Sequence, residues 1–262
     1  MGLPKGFPMK ASPRLSTAGS RKVSPALHQA QQIARKYSEI EPVSKQVAVT
    51  VARLAATPMR LTSADKDMLN FLFARSKSID WTDLSSPPIV WPSNREICIE
   101  TGLSLATVKR CLRRLAERGL ITFCDSADGK RHGHRCPETK RILRAYGINL
   151  APIAVRLAEL KELHRAAHEE KVFSKQYRRE ITRARRSIRM TIDAGLEYQL
   201  EGPWVEFLEA LSLITDGMRT ASMDLAELRE IYSALVSLKE RVDNAFLRAS
   251  HQHNMNPQRG SK

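Results

Sequence analysis

Along most of the chain the apolar residues return every three or four positions, the period of a helix that buries one face. The pattern opens at Ser24-Pro25, a capping residue followed by proline at the first helical position, which predicts a short helix reaching about Tyr37. Pro42 interrupts, and Ser44 starts a second helix through Ala56 with Val47, Val51 and Leu54 on one side. After Pro58, "LTSADKDMLNFLFAR" predicts a third, with Ser63 as its cap and acidic residues in its first turn. Its apolar stripe is Met68, Leu69, Leu72 and Phe73. "DWTDLSSPPIVWPSN" reads as a loop with a short extended piece from Ile89 to Trp91. Ser93 caps a helix through Glu100, and Glu96 three residues on completes a capping box. "ETGLS" is the turn, and Ser104 caps a further helix to about Arg118, where Gly119 supplies the left-handed residue that ends it.

The period then changes. "LITFCDSADGKRHGHR" reads as a β-hairpin with Asp128-Gly129 near its tip. Pro137 to Gly147 reads as a link, with a short helix around Lys140 to Ala145. From Ala151 to about Glu201 breakers are almost absent. Apolar residues recur there at Ile153, Leu157 and Leu160, then at Phe173, Tyr177, Ile181, Ala184, Ile188 and Ile192. His164 and Lys171 blur the stripe between the two runs, which predicts a kink or a change of packing partner. Gly202-Pro203 breaks the helix, a short one follows from Trp204 to Ile214, and a last one runs from Met223 to about Ala249. Its seam is Leu225, Leu228, Tyr232, Leu235, Leu238 or Lys239, Val242 and Phe246.

The expected fold is therefore mainly α: a winged helix-turn-helix domain followed by a long-helix hairpin or coiled-coil domain. Residues 1–43 read as a flexible basic segment with a short helix, 44–136 as the winged helix, 137–249 as the helical domain and 250–262 as a disordered polar tail.

Charge changes the picture from fold to partner. The chain of 262 residues carries 43 Lys and Arg against 28 Asp and Glu, a formal net charge of +15. Such an excess attracts phosphate backbones or anionic membrane surfaces. No apolar run approaches the roughly 20 residues a membrane span needs, and no signal-peptide pattern opens the chain. Nucleic acid is therefore the favoured anionic partner, and the helix-turn-helix pattern makes it double-stranded DNA. Cys98, Cys111, Cys124 and Cys136 form no CxxC pair, and without an export signal they predict a reduced, cytoplasmic protein.

On the helix after the turn, at about 100° per residue, Val108, Cys111, Leu112 and Leu115 share one face. The other face holds Ala106, Lys109, Arg110, Arg113 and Glu117, flanked by Thr107 and Arg114. A helix lying in the major groove would present these side chains to base edges and phosphates. Arg110 and Arg113 are the candidates for base contacts, since a guanidinium can grip guanine with two hydrogen bonds. Lys109, Arg114, Ser93 and Ser104 are candidates for phosphates, with Asn94 beside Ser93. The hairpin adds Lys130, Arg131, His132, His134 and Arg135, where a wing would meet the neighbouring backbone. A basic helix can also be only a solvated face, but here the cations lie opposite an apolar stripe and recur on the adjoining hairpin. The basic run from Lys175 to Arg189 is less specific: it either extends a DNA footprint or is the wet side of a coiled coil.

Other chemistry finds little support in the residues. Cys124, His132, His134 and Cys136 match no common zinc spacing, so no metal is expected. "HGH" lacks the residues that would make it a nickase centre, "HGHR" lacks the remaining catalytic residues of tyrosine recombinases, and no phosphate-cradling Gly-rich loop is present. The expectation is a binding protein, not an enzyme, with no cofactor. The last helix's seam packs intramolecularly or forms a homodimer.

"IVWPSNREICIETGLSLATVKRCLRRLAERGLITFCDSADGKRHGHR", with "YGINLAPIAVRLAEL" and "IRMTIDAGLE" further on, resembles RepC, the replication initiator of repABC-type plasmids of alphaproteobacteria. The resemblance covers about Val49 to Glu197. Its most specific parts are the Ser-Asn opening, the Gly-Lys-Arg hairpin and the Ala-Pro lead-in to the long helix. It implies recognition of a plasmid origin, one that in this family lies within the initiator's own gene, and initiation with host replication proteins. Family members usually continue into a further C-terminal domain, whereas this sequence ends at Lys262. The resemblance thus leaves open a truncated initiator, a separate short form, or a relative used as a transcriptional regulator at a promoter. A charge-driven architectural binder is the reading of another class.

Overall fold

The computed structural model of the protein describes residues 24–255. They form two compact units, divided between His164 and Arg165. The chain is mainly helical with one small antiparallel sheet.

The first unit holds α1 (Pro25–Arg35), a 3-10 turn (Lys36–Glu39), α2 (Lys45–Ala55), α3 (Ser63–Arg75), α4 (Ile79–Thr82), β1 (Ile89–Val90), α5 (Asn94–Thr101) and α6 (Leu105–Glu117). It continues through β2 (Thr122–Cys124), β3 (His132–Arg135), β4 (Ile142–Asn149), α7 (Ala151–Val155) and the start of α8 (Leu157–Glu197). Local chemistry sets most helix starts. The hydroxyls of Ser24, Ser44 and Ser104 each accept from the amide three residues on, as N-caps do. In α3 the cap is Thr62, not Ser63. Thr62 has extended backbone, and the Asp65 carboxylate returns to its amide at 3.0 Å, closing a capping box.

A main core joins most of these elements, and a smaller cluster of Ile89, Ile142 and Ala145 lies against Trp91 and Cys124. Ile97 of α5, Val108, Cys111, Leu112 and Leu115 of α6, and Met68, Leu69 and Leu72 of α3 pack with Leu120 and Ile121. α1 belongs to the same core through Leu27 and Ala34, and Tyr37 donates its phenol hydrogen to the Asp80 carbonyl at 2.9 Å. The stretch expected as a flexible segment with a short helix is thus structural from Ser24 on, and residues 1–23 lie outside those described. α2 turns its expected stripe only partly inward: Val51 is buried with Ala48, Ala52 and Ala55, while Val47 and Leu54 are exposed. Small side chains let this helix approach closely, and that advantage outweighs the bulkier stripe beside it.

The sheet corrects two further expectations. Residues 137–147 are not a link with a helix, because their second half begins β4, the strand to which all the others pair. β1 and β2 flank its C-terminal half, and β3 pairs antiparallel with its N-terminal half. The hairpin is therefore β3–β4, not β2–β3, and Ser126 to Gly129 turn the chain between β2 and β3. Gly147 makes the centre of the sheet possible, since a Cβ there would lie 2.3 Å from the Val90 carbonyl oxygen.

The long helix begins later than expected. Arg156 separates α7 from α8 and donates to the Arg118 and Gly119 carbonyls at 2.7 and 2.8 Å, capping the end of α6. α8 then runs through the region where a kink or change of partner was expected, and its stripe does change partner. Leu160 packs in the first core, whereas Ile181 to Ile192 pack in the second.

The second unit comprises the rest of α8 with α9 (Trp204–Thr215) and α10 (Leu225–Met255). Ile181, Ala184, Ile188 and Ile192 pack with Trp204, Phe207, Leu228, Leu235 and Val242. The Trp204 indole lies where a Cβ on Gly195 or Gly202 would intrude at 2.6 or 2.8 Å. α10 outruns its expected end: residues 250–255 are helical rather than a disordered tail, as nothing before Pro257 breaks the helix. Residues 256–262 lie outside those described.

Candidate nucleic-acid interface

α5 and α6 meet at a turn whose sharp point, Gly102, has a φ of 68° with nothing near its missing side chain. Two capping boxes or caps hold the helices in place. Ser93 and Glu96 close one on α5, and the Ser104 hydroxyl accepts from the Thr107 amide at 3.2 Å on α6. With Val108, Cys111, Leu112 and Leu115 buried, α6 exposes Ala106, Lys109, Arg110, Arg113 and Glu117. Arg110 reaches the Thr107 hydroxyl at 3.4 Å, and Arg113 lies 3.7 Å from Glu117 with 70% of its side chain exposed. Both contacts are long and solvated, so neither holds its guanidinium against a better partner.

Arg114 stands apart from them. Its Nε and Nη2 donate to both carboxylate oxygens of Asp65 at 2.8 to 3.1 Å, and Nη2 also donates to the Thr62 hydroxyl. Asp65 is 1% exposed. Burial alone would raise its pKa, but the hydrogen bonds from Arg114 and Thr62 outweigh it and hold the carboxyl below the usual range. Burial, with Asp65 nearby, pushes the Cys111 thiol up. Arg114 is a phosphate candidate in the sequence; in the structure its guanidinium is engaged by Asp65 and ties α6 to α3.

The Asp65 arrangement predicts a pH dependence. Its folded pKa is depressed, so between the folded and unfolded values the unfolded chain binds more protons and stability rises with pH. The contribution is full above about pH 4, where an unfolded aspartate is ionised, and is lost as pH falls through the lower folded value. Urea denaturation between about pH 2 and 7 should show the midpoint falling on the acid side. Asp65→Asn should flatten that fall relative to the parent, and an identical slope in both would contradict the assignment.

Two hairpin cations are likewise turned inward. Arg131 donates to the Pro92 carbonyl at 2.9 Å and to the Asn94 side-chain oxygen at 3.1 Å, so these two candidates hold each other. Arg135 grips both oxygens of the buried Asp80 at 2.6 and 2.8 Å and lies over the Trp91 ring. The reason is the pleat. Gly133, between them in β3, faces Trp91 closely enough that a Cβ would meet the indole at 2.7 Å.

His132 and His134 occupy the other, exposed face of β3, and Lys130 precedes them on the surface. Across the ladder, His132 pairs with Tyr146 and His134 with Arg144. The His132 and Tyr146 rings are 5.0 Å apart, and Arg144 donates to the Tyr146 hydroxyl at 2.8 and 2.5 Å. That phenol keeps its own hydrogen to donate outward. Arg144 and Tyr146 were missed in the sequence because their segment reads as a link. The signal available was period two: Arg144 and Tyr146 alternate with the buried Ala145 and Gly147.

Among the described residues, no group of three or more His, Cys, Asp or Glu side chains converges as a metal site, and no helix is long and apolar enough to cross a membrane.

Comparison with known proteins bears on this arrangement. Residues 21–196 match the Replication protein C N-terminal domain family. The chain is 29% identical over 197 residues to a replication protein C of Rhizobium rhizogenes, covering 74% of this chain and 48% of that one. It is 28% identical over 166 residues to a replication protein C of Sinorhizobium fredii, covering 60% of this chain and 41% of that one. The chain thus spans less than half the length of either relative. No solved structure matches it. With a family match over most of its length, and with the capped helix pair and the sheet inside the matched region, the chain belongs to the replication protein C family through that family's N-terminal domain.

Proposed function

We propose that the first unit is a winged helix that binds duplex DNA sequence-specifically and serves origin recognition in the initiation of plasmid replication. The observation that carries this reading is the exposed face of α6, where Lys109, Arg110 and Arg113 stand opposite a wholly buried stripe and none is held by a buried acid. α5 braces α6, whose capped N-terminal turn enters the major groove. The face formed by His132, His134, Arg144 and Tyr146 is the wing, meeting the adjacent backbone. Ser93 and Ser104 meet phosphates at the helix N-termini, where the Ser93 hydroxyl exchanges the Glu96 carboxylate for phosphate and the Ser104–Thr107 hydroxyl pair, 2.9 Å apart, has one hydrogen left to donate. The protein acts by binding, without cutting DNA, in the cytoplasm on the plasmid, and host replication proteins follow it to the origin.

Footprinting across the gene and its flanks, at near-physiological salt with competitor DNA, tests the reading. A protected site within the gene supports it, and protection confined to a promoter or no discrete footprint overturns it. On the protected site, Arg110→Ala or Arg113→Ala is expected to cost about 1–3 kcal/mol, roughly 5- to 150-fold in Kd, and to relax preference at one base position. Lys109→Ala is expected to weaken all duplexes about evenly, shown by equal ratios on cognate and scrambled DNA.

A further inference from the structure

The cations of α8 in the second unit take no part in the interface above. Between Lys171 and Met190 the sequence holds eight lysines and arginines and one acid, Glu180. Further along the unit the balance is opposite: from Tyr198 to Arg248 there are nine acids and five lysines and arginines. Positive charge is therefore gathered on one helix rather than spread over the surface.

The structure sorts these cations by what they face. Arg178 is turned inward and donates to the Thr220 carbonyl at 2.7 Å and the Met223 carbonyl at 3.3 Å. Arg183 pairs with Glu180 and Arg189 with Asp193, each at 3.0 Å and each along the helix. Lys175, Arg179 and Arg186 are exposed. At about 100° per residue they lie within about 40° of one another, roughly opposite the buried stripe of Ile181, Ala184, Ile188 and Ile192. Like charges one helical turn apart repel and weaken a helix. Acids are available elsewhere in the unit, so stability alone gives no reason to crowd cations here. Lys175 to Arg186 spans about 16 Å at 1.5 Å per residue, long enough to face several successive phosphates.

We propose that this outward face of α8 is a second, sequence-independent contact for the phosphate backbone of duplex DNA. It goes beyond the origin-recognition reading and does not depend on how α6 reads bases. Its signature is counterion release, which depends on how many phosphates are neutralised and not on their sequence.

The test uses the full chain with Lys175→Gln, Arg179→Gln and Arg186→Gln combined, and a duplex of unrelated sequence. Affinity is measured from about 50 to 250 mM salt. The slope of log affinity against log salt should become shallower by about two to three, with the ratio of cognate to unrelated binding unchanged. An unchanged slope, or a loss confined to the cognate site, overturns the proposal; the first is also the outcome if the face serves an acidic protein. A charge-keeping triple variant, with lysine and arginine exchanged, should retain the parent slope. If it loses as much as the glutamine variant, the effect is structural and the proposal falls. The two readings separate cleanly. A flattened slope in the α8 variant with no effect from Arg110→Ala and Arg113→Ala sinks the α6 reading alone, and the reverse result sinks this one alone.

Discussion

Arg114→Ala is expected to destabilise the first unit by about 3–5 kcal/mol, although position 114 lies on a helix rich in exposed cations. The reason is what it leaves behind. Asp65 is 1% exposed and takes three of its hydrogen bonds from Arg114, so truncation leaves a buried carboxylate without its counter-charge, held only by the Thr62 amide and hydroxyl. Exposed neighbours give the contrast: Arg113→Ala should change stability by about 0.5 kcal/mol or less. Urea denaturation at neutral pH, followed by a probe of the first unit, measures both. Combining Arg114→Met with Asp65→Asn removes the charge from each side while Asn keeps an acceptor for the Thr62 amide, and part of the loss should return. That double variant also settles what Arg114 is for. Folded, it should bind duplex DNA as the parent does. A loss as large as that of Lys109→Ala would mean Arg114 also touches phosphate.

Arg135→Ala is expected to cost a similar amount, about 3–5 kcal/mol. Asp80 is fully enclosed, and Arg135, itself 15% exposed, supplies a hydrogen bond to each carboxylate oxygen. Removing it leaves Asp80 with the Lys77 amide at 2.8 Å and uncovers the Trp91 ring. Arg135→Lys should recover only part of the loss, because an ammonium cannot present two parallel donors to one carboxylate. On the opposite face of the same strand, His132→Ala should cost far less stability. If Arg135→Ala unfolds at the parent's urea midpoint, the pair is not the tie between β3 and α4 that the geometry describes.

These two arginines show where sequence reading stops. Arg114 and Arg113 are adjacent, chemically identical and both candidate DNA contacts on a helical wheel, one for phosphate and one for a base. Only the position of Asp65, 49 residues earlier, separates them. Arg131, His132, His134 and Arg135 look like one basic wing, but the pleat sends the arginines to Asn94 and Asp80 and the histidines to the surface. β4 was hidden for a related reason. A central strand is identified by its neighbours, and β1 lies more than 50 residues away from it in the chain. Gly147 reads as a breaker in isolation and as a close-packing residue once Val90 is beside it.

What the sequence determined by itself is what short-range physics decides. A hydroxyl bonds an amide three residues on, so the caps at Ser44, Ser93 and Ser104 were legible. Gly119 tolerates a φ of 65°, so the end of α6 was legible too. Apolar residues at helical spacing named the buried faces of α6 and α10, because each face is built within one element. What only the tertiary structure decided is which acid takes which cation, which face of α2 goes inward and which strand sits at the centre of the sheet. Those outcomes depend on burial and on Coulombic pairing between residues far apart in the chain, and neither is a property of any short stretch of it.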